Sequence, residues 1–330
     1  MSAMLLPILG LLIGVLGLLW GADRFVEGSA GAARNFGISP LIIGLTVVSI
    51  GTSAPEVLVS VNAALSNAAE LAVGNALGSN MANIGLVLGV TLLIAPTPVQ
   101  KHLLSQEGVV LLLVTAIAGL ILYDGYLGRI ESAILAGLIF PLVYIAVKYK
   151  KTHISPEELE TSEDIPDITM GAAGLWFFVG LAVLLASAEV TVWSAKTIAQ
   201  TMGISELIIG LTVVAIGTSL PELAASVVSA MRGHHDIAIG NIFGSNLFNL
   251  MLVMPAAGII SPMALSPEVF NRDFISLALM TLALIAMVAF ALNKATRNGK
   301  PALLSRRLGV ILIGGYIGYY AVLWPAIAGA

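Results

Sequence analysis

Residues 37–85 return at 203–251 with a constant shift of 166 and no gap, and 27 of the 49 paired positions carry the same residue. GISPLIIGLTVVSIGTSAPE becomes GISELIIGLTVVAIGTSLPE, and GNALGSNMAN becomes GNIFGSNLFN. A repeat of this kind makes the half-chain the unit whose fold has to be explained. The same shift pairs Asp23 with Glu189, so the halves are expected to correspond beyond the strongest segment.

What each half can fold into follows from its polarity. Hydrophobic residues make up 58% of the chain and charged residues only 10%, against about 25% charged in ordinary soluble proteins. That leaves too little polar surface for a soluble enzyme or a nucleic-acid binder. A membrane helix needs roughly 20 mainly apolar residues. Ten stretches qualify: 3–22, 38–65, 71–95, 106–123, 128–147, 169–195, 204–231, 237–260, 274–292 and 307–327. They are too long and continuous for barrel strands, so the expected fold is an all-α integral membrane protein of ten transmembrane helices. The N-terminus is apolar from Met4 with no basic segment before it, and reads as a first span and not a signal peptide.

The polar stretch Lys148 to Asp167 divides the spans five and five. The expected organisation is a first half, 1–150, a linker, 151–168, and a second half, 169–330. With an odd number of spans in each half, the second copy enters from the opposite face. Two inverted five-helix repeats are an architecture used by many secondary transporters. Lys and Arg concentrate on the cytoplasmic side of membrane proteins. Here Arg129, Lys196 and Arg272 lie on the side of the termini and the other 12 of the 15 on the opposite side. The loop 149–168 is therefore expected in the cytoplasm and both termini outside.

Ionisable groups at membrane depth are costly and mark function by default. Glu56 and Glu222 stand mid-span, each ending the sequence Gly-Thr-Ser-x-Pro-Glu. Pro55 and Pro221 lack an N–H and clash with the preceding turn, so carbonyls near Ser49–Ser53 and Ala215–Ser219 are expected to leave the helix ladder. Asn75, Ser79 and Asn83 recur every four residues on the next span, and Asn241, Ser245 and Asn249 repeat that stripe. Breaks are expected in spans two, three, seven and eight. Gly74 with Gly78, and Gly240 with Gly244, permit close helix approach.

Carboxylates, hydroxyls and carbonyls form a hard oxygen set suited to Na⁺ and Ca²⁺. There is no cysteine, and the four histidines fall in candidate loops, so a soft-metal site is not expected. A Ca²⁺ between two facing carboxylates cancels both charges. Several Na⁺ could do the same, and competition for one site would couple the two ions.

On these duplicated motifs the chain resembles the calcium/cation antiporter superfamily, most of all its prokaryotic sodium/calcium exchanger branch. The resemblance covers the whole chain. It implies Ca²⁺ ligation by Glu56 and Glu222, helped by backbone oxygens of Thr52 and Thr218. It implies Na⁺ ligation by Ser49, Thr52, Ser53, Glu56, Ser79, Asn83, Ala215, Thr218, Ser219, Glu222, Ser245 and Asn249, with Ser49 and Ala215 acting through carbonyls. It also implies first and sixth spans that move across a fixed core. Some members, potassium-dependent ones included, carry Asp at the last stripe position; Asn83 and Asn249 are amides. The expected function is Na⁺/Ca²⁺ antiport in the cell (inner) membrane. Ca²⁺ and Na⁺ are its substrates, and no cofactor, enzymatic activity or obligate protein partner is expected.

Blander readings stand beside these. The stripe residues could be interhelical glue, Asn75, Asn80, Asn241 and Asn246 helix caps, and Asp23 and Glu189 solvated interfacial acids. His234, His235 and Asp236 fall in a short turn, and the acids of 157–167 in a solvated linker. Two rival functions stay open: a proton-coupled antiporter of the same fold, and a passive cation channel. A channel normally builds its filter from symmetry-related subunits, which two inverted copies in one chain do not supply.

Overall fold

The computed structural model describes residues 2–66, 68–144, 167–203, 213 and 215–328. The expected linker lies outside these apart from Asp167 and Ile168, as does the stretch 204–212 of the second repeat. The helices in chain order are α1 (Ser2–Phe36), α2 (Pro40–Thr52), α3 (Ala54–Leu65), α4 (Glu70–Ile94), α5 (Leu103–Leu122) and α6 (Arg129–Gly137). They continue with α7 (Met170–Thr201), α8 (Ala215–Thr218), α9 (Leu220–Met231), α10 (His235–Ile260), α11 (Val269–Asn298) and α12 (Arg306–Ala328).

Among the described residues six helices are long and apolar enough to cross a membrane: α1, α4, α5, α7, α10 and α11. The pair α2 and α3, bent by 46°, brings the number to seven if the two are counted as one span. Residues 139–144 are helical as well, and four two-residue strands are also described. Thr97–Pro98 (β1) pairs with Leu303–Leu304 (β4), and Tyr126–Leu127 (β2) with Met263–Ala264 (β3). Both pairings are antiparallel, and each ties a loop of one half to a loop of the other.

The repeat is visible as structure. Helix Ala54–Leu65 and Leu220–Met231, Ala69–Ala82 and His235–Phe248, and β1 and β3 all fall at the shift of 166. So do the widened helical turns Asn83–Val87 and Asn249–Val253, and Leu103–Gly108 and Val269–Phe274. Such turns, with each N–H reaching back five residues, occur mostly as single insertions in α-helices and often at functional sites.

Two expectations need correction. Spans three and eight are continuous helices of 25 and 26 residues, not broken ones. Neither polar stripe contains a proline, so the irregularity is absorbed as a widened turn starting at Asn83 or Asn249. The first and sixth helices also outrun their apolar stretches, 3–22 and 169–195, reaching Phe36 and Thr201. Polar residues do not end α1 because its small face stays covered: Ala22, Phe25, Ala30 and Ala33 are fully buried.

α1 and α7 run antiparallel along a glycine seam, with Gly10 beside Ser194, Gly21 beside Leu184 and Gly28 beside Phe177. A Cβ at Gly21 would stand 2.6 Å from the Leu184 nitrogen. The core crossing is equally close. α2 meets α10 at Gly44 and Gly240, where a Cβ on Gly240 would stand 2.6 Å from the Leu41 carbonyl oxygen. Gly244 packs against Leu45 and Ser49 one turn on.

Candidate functional site

Each half breaks a helix at a serine. α2 ends at Thr52, Ser53 takes φ −81° and ψ 7°, and α3 starts with Pro55 in its first turn. α8 ends at Thr218, Ser219 takes φ −90° and ψ 7°, and α9 starts with Pro221 in its first turn. Proline cannot donate to the carbonyl four residues back, so Gly51 and Gly217 lose that partner. Glu56 and Glu222 thereby enter the first turn of a new helix. Unpaired N–H groups and the helix dipole favour negative charge at that position.

Both glutamates are 1% exposed. Groups from one half hold those of the other. Ser53 Oγ donates to Glu222 Oε1 at 2.9 Å, and Thr52 Oγ1 donates to Asn241 Oδ1 at 3.1 Å. Ser49, Thr52, Ser53, Ser79, Asn83, Ser219, Ser245 and Asn249 are all buried, and Thr218 is half-buried. Ala215 is the first residue of α8.

Among the candidate site residues the buried polar atoms left over are mostly oxygens, with the amide nitrogens of Asn80 and Asn83 beside them. Both carboxylate oxygens of Glu56, Glu222 Oε2, the hydroxyls of Ser219 and Ser245, and the amide oxygens of Asn83 and Asn249 are buried. None of them has a hydrogen-bond partner among the described residues. The amide oxygens of Asn80 and Asn246 are in the same condition. An orphaned buried polar atom costs about 1–3 kcal/mol, and native proteins keep few of them. A set dominated by oxygens, two of its members carboxylates, is what a hard cation can satisfy.

The halves are not in the same condition. Ser53 binds Glu222, whereas the equivalent Ser219 makes no bond to Glu56. The Ser53 N–H goes to the Ser49 carbonyl at 3.0 Å, while the Ser219 N–H goes to the Ile216 carbonyl at 3.1 Å. The Ser49 carbonyl stays in the helix ladder, accepting from Ser53 N–H, so only its second lone pair would be open to an ion; Thr52 Oγ1 lies 3.4 Å from it, farther than from Asn241 Oδ1. The Ser49 hydroxyl turns back to the Leu45 carbonyl at 2.8 Å.

Some candidates are not brought to this site. Asp23 accepts from Arg232 Nε at 2.6 Å, and its neighbour Glu27 accepts from Arg24 at 2.7 Å. Glu189 is exposed on α7. His235 and Asp236 open α10, and the described residues contain no group of three or more His, Asp or Glu placed to hold a metal. What the motifs did not reveal is the work of Asn75 and Asn241. Both side-chain amides donate to the backbone oxygen of their own half's glutamate, at 3.2 and 3.4 Å. The signal was their matching place, four residues before Ser79 and Ser245.

The sequence pattern of the sodium/calcium exchanger protein family matches residues 6–149 and 172–324. The chain is 42% identical to the putative antiporter CaxA of Alkalimonas amylolytica, over 98% of this chain and all of that one. It is 39% identical to the inner membrane protein YrbG of Escherichia coli, over 97% of this chain and 98% of that one. The sodium/calcium exchanger MaX1 of Methanosarcina acetivorans is 30% identical over 95% and 97% of the two chains. Among solved structures, the sodium-calcium exchanger NCX_Mj soaked with 10 mM Na⁺ and zero Ca²⁺ matches with a TM-score of 0.82 and 32% identity. That match covers 97% of this chain and 99% of that one.

Proposed function

The chain belongs to the sodium/calcium exchanger protein family, and from that premise we propose that it exchanges Na⁺ for Ca²⁺ by alternating access to one central site. Cation/Ca²⁺ antiport by a multi-pass membrane protein is the part that the family itself carries. The proposal is the counter-ion, the ligands and the cycle.

One observation supports it above others: two buried carboxylates, one from each repeat, start new helices at matched breaks, and the Ser53 of one repeat holds the Glu222 of the other. Ca²⁺ would bind Glu56 and Glu222 with backbone oxygens of Thr52 and Thr218. Na⁺ would use the same glutamates with Ser49, Thr52, Ser53, Ser79, Asn83, Ala215, Thr218, Ser219, Ser245 and Asn249. The orphaned oxygens of Glu56, Glu222, Asn83, Ser219, Ser245 and Asn249 favour this assignment. The unequal state of Ser53 and Ser219 fits a site that closes one repeat at a time. The antiparallel course of α1 and α7, which are equivalent in the repeat, favours two inverted halves, 1–150 and 169–330.

Radiolabelled Ca²⁺ uptake into proteoliposomes tests the counter-ion. Vesicles loaded with Na⁺ and diluted into Na⁺-free buffer take up Ca²⁺, and uptake survives collapse of any pH gradient. Uptake driven only by an imposed pH gradient would transfer the protein to proton coupling. Single-channel currents would point to a pore.

Topology has its own test, made direct by the absence of cysteine. Single cysteines placed between 149 and 168 should react with an impermeant maleimide only from the cytoplasmic face of the inner membrane. Labelling from outside intact spheroplasts would reverse the proposed orientation.

A further inference from the structure

We propose that Asn75 and Asn241 are positioning residues that hold the two glutamate turns, and that Asn241 also aims the Thr52 hydroxyl across the repeat boundary. This rests on the exchange reading above and adds to it the groups that set ligand geometry.

The pattern is duplicated in detail. Asn75 Nδ2 donates to the Glu56 backbone oxygen at 3.2 Å and to Ser60 Oγ at 3.1 Å. Asn241 Nδ2 donates to the Glu222 backbone oxygen at 3.4 Å and to Ser226 Oγ at 2.9 Å. In each half one amide pins the carboxylate-bearing turn to the helix that carries the polar stripe.

With both N–H groups of Asn241 engaged on one side, its Oδ1 is turned the other way, where Thr52 Oγ1 lies at 3.1 Å. A hydroxyl has one hydrogen and two lone pairs. Once that hydrogen goes to Asn241, the lone pairs of Thr52 are left for a cation. Aspartate would supply no donor to the Glu222 carbonyl, and serine is too short to span both contacts. The residue needs a donor and an acceptor in one plane, which is the chemistry of an amide.

Asn241 also differs from the two asparagines among the proposed ligands. It is fully buried, yet none of its polar atoms is orphaned, whereas the amide oxygens of Asn83 and Asn249 are. The chain Thr52–Asn241–Glu222 therefore carries a geometric constraint from the first repeat into the second.

A double-mutant cycle on the full-length protein in proteoliposomes tests this link. Half-saturating Na⁺ and Ca²⁺ are measured with maximal rate for wild type, Thr52→Val, Asn241→Ala and the double variant. Each single change should raise half-saturating Na⁺ by about tenfold, the size expected when one net hydrogen bond is lost. Because both act through one contact, the double variant should be no worse than the more affected single variant. Thr52→Ser keeps the hydroxyl and should restore near-wild-type values. Asn75→Ala combined with Thr52→Val should multiply, since that amide serves the other turn.

Multiplying effects for Thr52 and Asn241, or an Asn241→Ala protein with unchanged half-saturation, would overturn the proposal. Asn241→Ser replaces Asn241→Ala in the cycle if the alanine variant does not fold. If wild type takes up Ca²⁺ only under a pH gradient, the exchange reading fails, and the same cycle scored on half-saturating Ca²⁺ still judges the amide link.

Discussion

Replacing Glu222 by glutamine abolishes Na⁺-driven Ca²⁺ uptake and leaves a folded, monodisperse protein. Glutamine keeps the shape of the side chain and an oxygen that can still accept from Ser53 Oγ, now 2.9 Å from Glu222 Oε1. What it removes is one of the two charges that balance a divalent ion. Taking one partner from a buried charge pair costs about 3–5 kcal/mol, which raises half-saturating Ca²⁺ on the order of 10²- to 10³-fold. Glu56→Gln should do the same without disturbing a hydrogen bond, because neither carboxylate oxygen of Glu56 has a partner among the described residues. Uptake assays and equilibrium Ca²⁺ binding in detergent read both variants. Full Ca²⁺ affinity in either one would remove that glutamate from the site.

Gly240→Ala is expected to reduce transport below roughly a tenth of wild type and to lower thermal stability. The added Cβ would stand 2.6 Å from the Leu41 carbonyl oxygen, 2.9 Å from the Leu45 nitrogen and 3.0 Å from the Gly44 Cα. All three are backbone atoms, so no side chain can rotate away and α2 has to separate from α10. Overpacking of this kind typically costs about 1–3 kcal/mol. The functional loss should exceed the loss of stability, because the displaced helix carries Ser49 and Thr52 and leads into Ser53, which touches Glu222. Gly314→Ala is the control: Gly314 is exposed on α12, and its Cβ would meet no described atom within 4 Å. Wild-type transport by Gly240→Ala would mean that this crossing does not set the geometry of the site.

Much of the site was legible in the order of residues. A proline before a glutamate, twice, announces a helix break with an acid in the new first turn, because proline's missing N–H is a local covalent fact. Spacing by four placed Ser79 and Asn83 on one helix face for an equally local reason. Reasoning from the same polar residues went too far in spans three and eight, where a widened turn replaces the expected break. It also ended α1 too early, since an apolar run measures exposure to lipid and α1 continues as long as its small face has a partner to cover it. That partner is α7, and the spacing of Gly10, Gly14, Gly17, Gly21, Gly28 and Gly31 carried the hint.

The sequence by itself determined a duplicated, membrane-embedded, helical chain with one carboxylate at each matched break. Those properties depend on composition, on periodicity and on bonds within a few residues. Only the tertiary structure decided that Ser53 reaches Glu222, that Thr52 reaches Asn241, and that the equivalent Ser219 makes no bond to Glu56. Two copies of one motif predict two equal half-sites. Hydrogen bonds between residues 169 and 189 positions apart are set by how the helices pack, and that packing places the two copies in unequal surroundings.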